Sequence, residues 1–98
     1  MSNLVLTRTA GKSIRLEMQP GAFHILTVAY VGGEQIKLEL TNPDGSTQSK
    51  RLNVGAEWPI GSGLTIKLIG IQFRQAKLGF DAPQSVKIVR TELLERVQ

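Results

Sequence analysis

The sequence predicts an all-β protein: a small barrel or sandwich of interleaved antiparallel strands, closed by a short C-terminal helix. Three observations carry that expectation. Apolar and polar residues alternate with a period of two along most of the chain. Glycine, proline and asparagine interrupt the alternation at short, regular intervals, as turns between many short strands do. Ninety-eight residues, 41% of them hydrophobic and 20% charged, suit one globular domain.

The elements follow in order. Strands are expected near residues 3–8, 13–18, 23–31, 34–41, 46–52, 56–60, 64–71, 74–81 and 85–90. In the first, Leu4, Leu6 and Arg8 share a face. In the second, Ile14, Leu16 and Met18 oppose Arg15 and Glu17. Ile36, Leu38 and Leu40 oppose Lys37 and Glu39, and Leu64, Ile66 and Leu68 oppose Thr65 and Lys67. Gly32-Gly33 reads as a tight hairpin and Asn42-Pro43-Asp44-Gly45 as a turn; Gly61-Ser62-Gly63 is a further break. After residue 90, Thr91 can cap a helix over about 91–97. Glu92 suits its positive end, and Leu93, Leu94 and Val97 give it an apolar face.

Composition excludes several functions. Without cysteine there is no disulfide framework, thiolate nucleophile or cysteine zinc site. His24 alone cannot build a metal site, and no acidic partner stands at a recognisable spacing from it, so it reads as structural. No metal, cofactor or catalytic residue is expected, and the protein reads as a non-enzyme. No apolar run approaches the roughly 20 residues of a membrane span. The opening Met-Ser-Asn-Leu-Val-Leu lacks the basic start and apolar stretch of a secretory signal, so a cytoplasmic location is expected.

Charge is uneven. Residues 1–49 carry four Lys/Arg against four Asp/Glu, and the second half holds the whole net charge of +4. A pI near 9.9 suits an anionic partner such as nucleic acid.

The order of breaks repeats. Residues 10–51 run from Ala10-Gly11 through the Gln19-Pro20-Gly21 break, a long strand, a hairpin and another strand to Asn42-Pro43 and Lys50-Arg51. Residues 54–90 run from Val54-Gly55 through Gly61-Ser62-Gly63, a long strand, a hairpin and another strand to Ala82-Pro83 and Arg90. Pseudo-repeats of about 4–51 and 52–90 within a single domain, 1–98, are therefore expected.

Both ends of the chain resemble the carbon storage regulator (CsrA/RsmA) family of small bacterial RNA-binding translational regulators. Leu4-Val5-Leu6-Thr7-Arg8-Thr9-Ala10-Gly11 is similar to the family's opening, with Thr9 where a second arginine is usual. Leu64 to Gly70, then Leu78-Gly79-Phe80-Asp81-Ala82-Pro83 and Val86-Lys87-Ile88-Val89-Arg90, resemble its central hairpin, Ala-Pro turn and fifth strand. The hairpin after Ile71 reads Gln72-Phe73-Arg74-Gln75 and lacks the usual glycine.

The resemblance implies several properties together. Family members are homodimers with interleaved strands, and the first strand of one subunit joins the fifth of the other to build each RNA site. With the internal repeat, it implies a fused single-chain pseudo-dimer, monomeric in solution; the alternative is a homodimer carrying a β-rich insertion. Only Ser46 to Val54 separate Gly45 from Gly55, so one strand is expected where a full junction would hold two.

The implied RNA-binding residues are Leu4, Leu6, Arg8, Val86, Ile88, Val89 and Arg90, with Lys50 and Arg51 as a weaker contact. The expected partner is single-stranded or hairpin-loop RNA carrying a GGA motif. The expected function is post-transcriptional control of translation or mRNA stability. The rival reading is a protein-binding β-module, or an antagonist of such regulators, that has lost RNA affinity. Trp58, Tyr30 and Phe73 are candidates for core packing or for base stacking.

Overall fold

A computed structural model describes residues 2–61, 63–83 and 85–90. It contains nine strands: β1 (Ser2–Thr9), β2 (Ser13–Gln19), β3 (Ala22–Val31), β4 (Gln35–Thr41), β5 (Thr47–Asn53), β6 (Glu57–Gly61), β7 (Leu64–Gln72), β8 (Gln75–Ala82) and β9 (Lys87–Arg90). The all-β expectation holds, and every strand lies within two residues of its expected bounds. The C-terminal helix expected over 91–97 lies outside the described residues.

The strands form two antiparallel sheets. One runs β1-β8-β7-β6 and the other β5-β4-β3-β2-β9. β1 therefore leaves its sequence neighbours to pair with β8, while β9 crosses to pair with β2. The alternating apolar residues meet between the sheets. Leu6, Leu68, Leu78 and Phe80 from one and Ile14, Leu26, Leu38 and Leu40 from the other belong to one core cluster, all nearly inaccessible. Truncating any of the fully buried aliphatic side chains to alanine costs about 2–5 kcal/mol, a large share of a small domain's stability.

The two halves repeat in register as well as in element order. The β1–β2 corner bonds Gly11 N to Val28 O (2.7 Å), Val28 N to Lys12 O (3.0 Å) and Lys12 N to Thr9 O (3.2 Å). The β5–β6 corner bonds Gly55 N to Leu68 O (2.7 Å), Leu68 N to Ala56 O (3.1 Å) and Ala56 N to Asn53 O (2.9 Å). Gly11 and Gly55 hold φ of 89° and 93° there, a left-handed conformation that glycine adopts without a steric penalty. Ile14 faces Leu26 as Trp58 faces Ile66, and Val28 faces Leu38 as Leu68 faces Leu78. Each long hairpin carries its bulge at the same place, between Val28 and Tyr30 and between Leu68 and Gly70.

The match ends after Pro43 and Pro83. Past Pro43, a polar turn folds β5 back onto β4. Asn42 N donates to Ser46 O (2.8 Å), and Ser46 donates from N and from Oγ to Asp44 Oδ1 (2.9 and 2.6 Å). Past Pro83, Val86 N bonds Pro83 O (3.1 Å) and the chain continues to the other sheet. No strand among the described residues lies against β6 as β9 lies against β2. Ile14 and Leu16 are consequently sealed, whereas their counterparts Trp58 and Ile60 stay partly exposed.

Candidate nucleic-acid interface

β1 and β9 are both edge strands. Each pairs on one side only, β1 with β8 and β9 with β2, so each carries a row of backbone donors and acceptors not used within its sheet. The β1–β2 corner links them along the chain: Arg8 precedes it, and Arg90 pairs with Ile14 immediately beyond it.

The side chains divide sharply. Leu6 (5% exposed), Arg8 (5%) and Val86 (6%) point inward, whereas Leu4, Ile88 and Val89 are half-buried. Arg8 was expected as a surface guanidinium; instead its Nη1 donates to the Thr7 carbonyl at 2.6 Å and the group lies within the fold. Alternation in β1 puts Arg8 on the same face as Leu6, and the core claims that face. The outward residues at the same strands are Val5, Thr7 and Lys87. β9 also brings Lys87 near Glu17 (3.8 Å), a surface pair worth little by itself. Beside it, the Arg15 guanidinium stacks 3.5 Å from the Phe23 ring centroid, a contact that strand periodicity alone does not reveal.

Lys50 and Arg51 are exposed on β5, away from this corner. Arg51 lies opposite Lys37, which lies opposite Tyr30, so three strands present an aromatic–Lys–Arg row on the outer face. Directly opposed like charges disfavour the bare sheet and attract an anion. Arg51 Nη1 has a long contact to Gln35 Oε1 (3.4 Å).

The β7–β8 hairpin turns on Phe73 and Arg74 with φ of 53° and 61°. Two-residue hairpins need positive φ at both central positions and favour Asn-Gly there. Each bulky residue in that region costs about 1–2 kcal/mol. The missing glycine in the sequence was the signal for this strain.

His24 is half-buried with no partner at Nδ1, and no metal-binding cluster occurs among the described residues. No described helix is long and apolar enough to cross a membrane.

The architecture is that of a small two-sheet β-protein in which β1 and β9 each lie at the edge of a sheet, β1 beside β8 and β9 beside β2. Residues 54–98 match the model of the CsrA global regulator protein family. A relative, the translational regulator CsrA of Caldicellulosiruptor bescii, is 46% identical over 39 residues, 40% of this chain and 50% of that protein. The chain thus spans about half the length of that curated relative. No solved structure matches. Residues 1–53 lie outside the family match; what relates them to it is the repetition of pairing and bulges described above.

Proposed function

We propose that the chain is an RNA-binding post-transcriptional regulator that recognises GGA-type motifs in mRNA leaders or small RNAs and controls translation or mRNA stability. The match of residues 54–98 to the CsrA family and the similarity to a translational regulator support the class. The observation that carries the site is that β1 and β9 are edge strands linked by the β1–β2 corner, with β1 drawn from the first unit and β9 from the second. Edge backbone groups there read unpaired bases, Thr7 and Lys87 face the strand, and Arg90 supplies a planar donor set for phosphate or guanine. Leu4, Leu6, Arg8, Val86, Ile88 and Val89 set the position of those edges.

In this reading the chain is a single-chain pseudo-dimer. β5 pairs with β4 as β1 pairs with β8, so in this reading β5 is the counterpart of β1. The first unit then has no fifth strand, which accounts for the uncovered face of β6. Both β1 and β9 are supplied by this one chain.

The test is titration of the full chain with a short stem-loop RNA displaying GGA, at several salt concentrations. Binding whose logarithm falls steeply and linearly with the logarithm of salt supports the reading. No binding to GGA RNA, together with salt-insensitive binding to a protein, sinks it in favour of a protein-binding module.

A further inference from the structure

Beside the β1–β2 corner, on the side of the hairpin tips, lies an open cleft of about 900 Å³ whose walls include Thr9, Ala10, Tyr30, Gly32, Phe73 and Arg74. Its size falls in the upper range of small-ligand clefts, roughly 300–1,000 Å³. Two aromatic rings stand on it. Phe73 is 87% exposed and Tyr30 is 53% exposed. A ring so exposed contributes almost nothing to the core, yet the turn holds Phe73 in a left-handed conformation that asparagine or glycine would adopt more readily.

The Tyr30 ring lies over Gly32, so close that a Cβ there would meet Tyr30 Cε2 and Oη at 3.0 Å. Gly32 N bonds Gln35 O (2.8 Å), fixing the backbone under the ring.

The charge around the cleft has one sign. Arg74 lines it, and no acidic residue does. From Tyr30 the outer face continues in register to Lys37 and Arg51. Glu34 lies in the β3–β4 turn, and Glu39 is one outward position beyond Lys37 on β4. Aromatic faces interleaved with Arg and Lys suit successive unpaired nucleotides, by stacking and by phosphate contact.

We infer that this cleft is a stacking platform for unpaired nucleotides flanking the bound RNA motif. Phe73 and Tyr30 take bases, and Arg74, Lys37 and Arg51 follow the phosphates. The inference rests on the RNA-binding reading and extends it beyond the β1/β9 edges.

The experiment compares a blunt GGA stem-loop with the same stem-loop carrying four unpaired nucleotides, at the 5′ end in one RNA and the 3′ end in another. Each flank contains 2-aminopurine. The full-length protein should bind one flanked RNA at least about fivefold more tightly than the blunt one, with quenching of the 2-aminopurine emission on stacking. The variant Phe73→Asn/Arg74→Gly relaxes the turn, so it should unfold at higher temperature than the parent. It should bind the blunt stem-loop as the parent does and lose the flank advantage and the quenching. Tyr30→Leu should lose part of both.

An advantage that persists in Phe73→Asn/Arg74→Gly, or no advantage in the parent, overturns the inference while blunt binding leaves the RNA reading standing. If the parent binds none of the RNAs, both fall. Concentration-dependent dimerisation abolished by Phe73→Asn/Arg74→Gly, without any flank effect, would assign the exposed rings to a contact between copies instead.

Discussion

Arg8 and Arg90 occupy matching positions in the sequence pattern, each closing an alternating apolar strand, but their prospects differ. Arg8 lies inside the fold with its Nη1 on the Thr7 carbonyl, so its removal should act on stability. Arg90 closes β9, opposite Ile14 just beyond the β1–β2 corner. Arg90→Ala should weaken binding of a GGA stem-loop by about 1–3 kcal/mol, with Lys77→Ala on the outer face of β8 doing less. Arg8→Ala should lower the melting temperature first. Calorimetric titration beside thermal unfolding separates the two effects, and an Arg90 variant binding like the parent would remove that residue from the site.

A second residue-scale expectation concerns Asp44. The hydrogen bonds it accepts from Ser46, side chain and backbone, hold its carboxyl below the usual value of 3.8. A depressed folded-state pKa contributes stability above the unfolded value and loses it as pH falls through the folded one. The β4–β5 turn should therefore loosen only in strong acid, below about pH 4. An acid titration following the Ser46 amide signal should show this, and Asp44→Ala should flatten it.

At the scale of elements, alternation revealed most of the strands because they have one face in the common core; β5, exposed from Thr47 to Arg51, is marked instead by the turns that bound it. It could not reveal which strands pair. β1 with β8 and β9 with β2 are contacts between the ends and the middle of the chain, and the periodicity of a strand does not encode its partner. The same limit applied to the site: alternation placed Arg8 on a face but left open that the face was the core. The order of Gly and Pro breaks is visible in the sequence, whereas the pairing of β5 with β4 is not.

The uncovered edge of β6 has its own signal, Pro59. Proline in a sheet is tolerated where its missing N–H would face away from the partner strand, so the absent donor falls on the side opposite β7. It occupies the position matched to Arg15, midway along the stretch of β2 that receives β9. Pro59 thus blunts an edge that would otherwise template another strand. Pro59→Thr should restore a donor and produce concentration-dependent self-association by light scattering. A variant as monomeric as the parent would assign the blocking to something other than the lost donor.

At the scale of the whole molecule, the asymmetry of the two sheets sets the stoichiometry. Among the described residues, the five-stranded sheet ends on β9 and the four-stranded sheet on β6, so an outer strand is present on one side and not on the other. The counterpart of the β1/β9 corner would combine β5 with that missing strand. β5 itself offers Gln48 and Lys50, both exposed, where β1 places Leu4 and Leu6 against the core. One strong RNA site per chain is therefore expected, in a monomer of 10.7 kDa. Any second site, near Lys50 and Arg51, should be weaker by at least ~1.4 kcal/mol, a tenfold factor. Calorimetric titration with a short GGA stem-loop should show one RNA per chain, with light scattering on the same sample reporting the mass. Two equal sites would mean that a lone β5 suffices to bind RNA, contradicting the need for two edges. One RNA per two chains would mean that the β1/β9 corner is completed by a second copy.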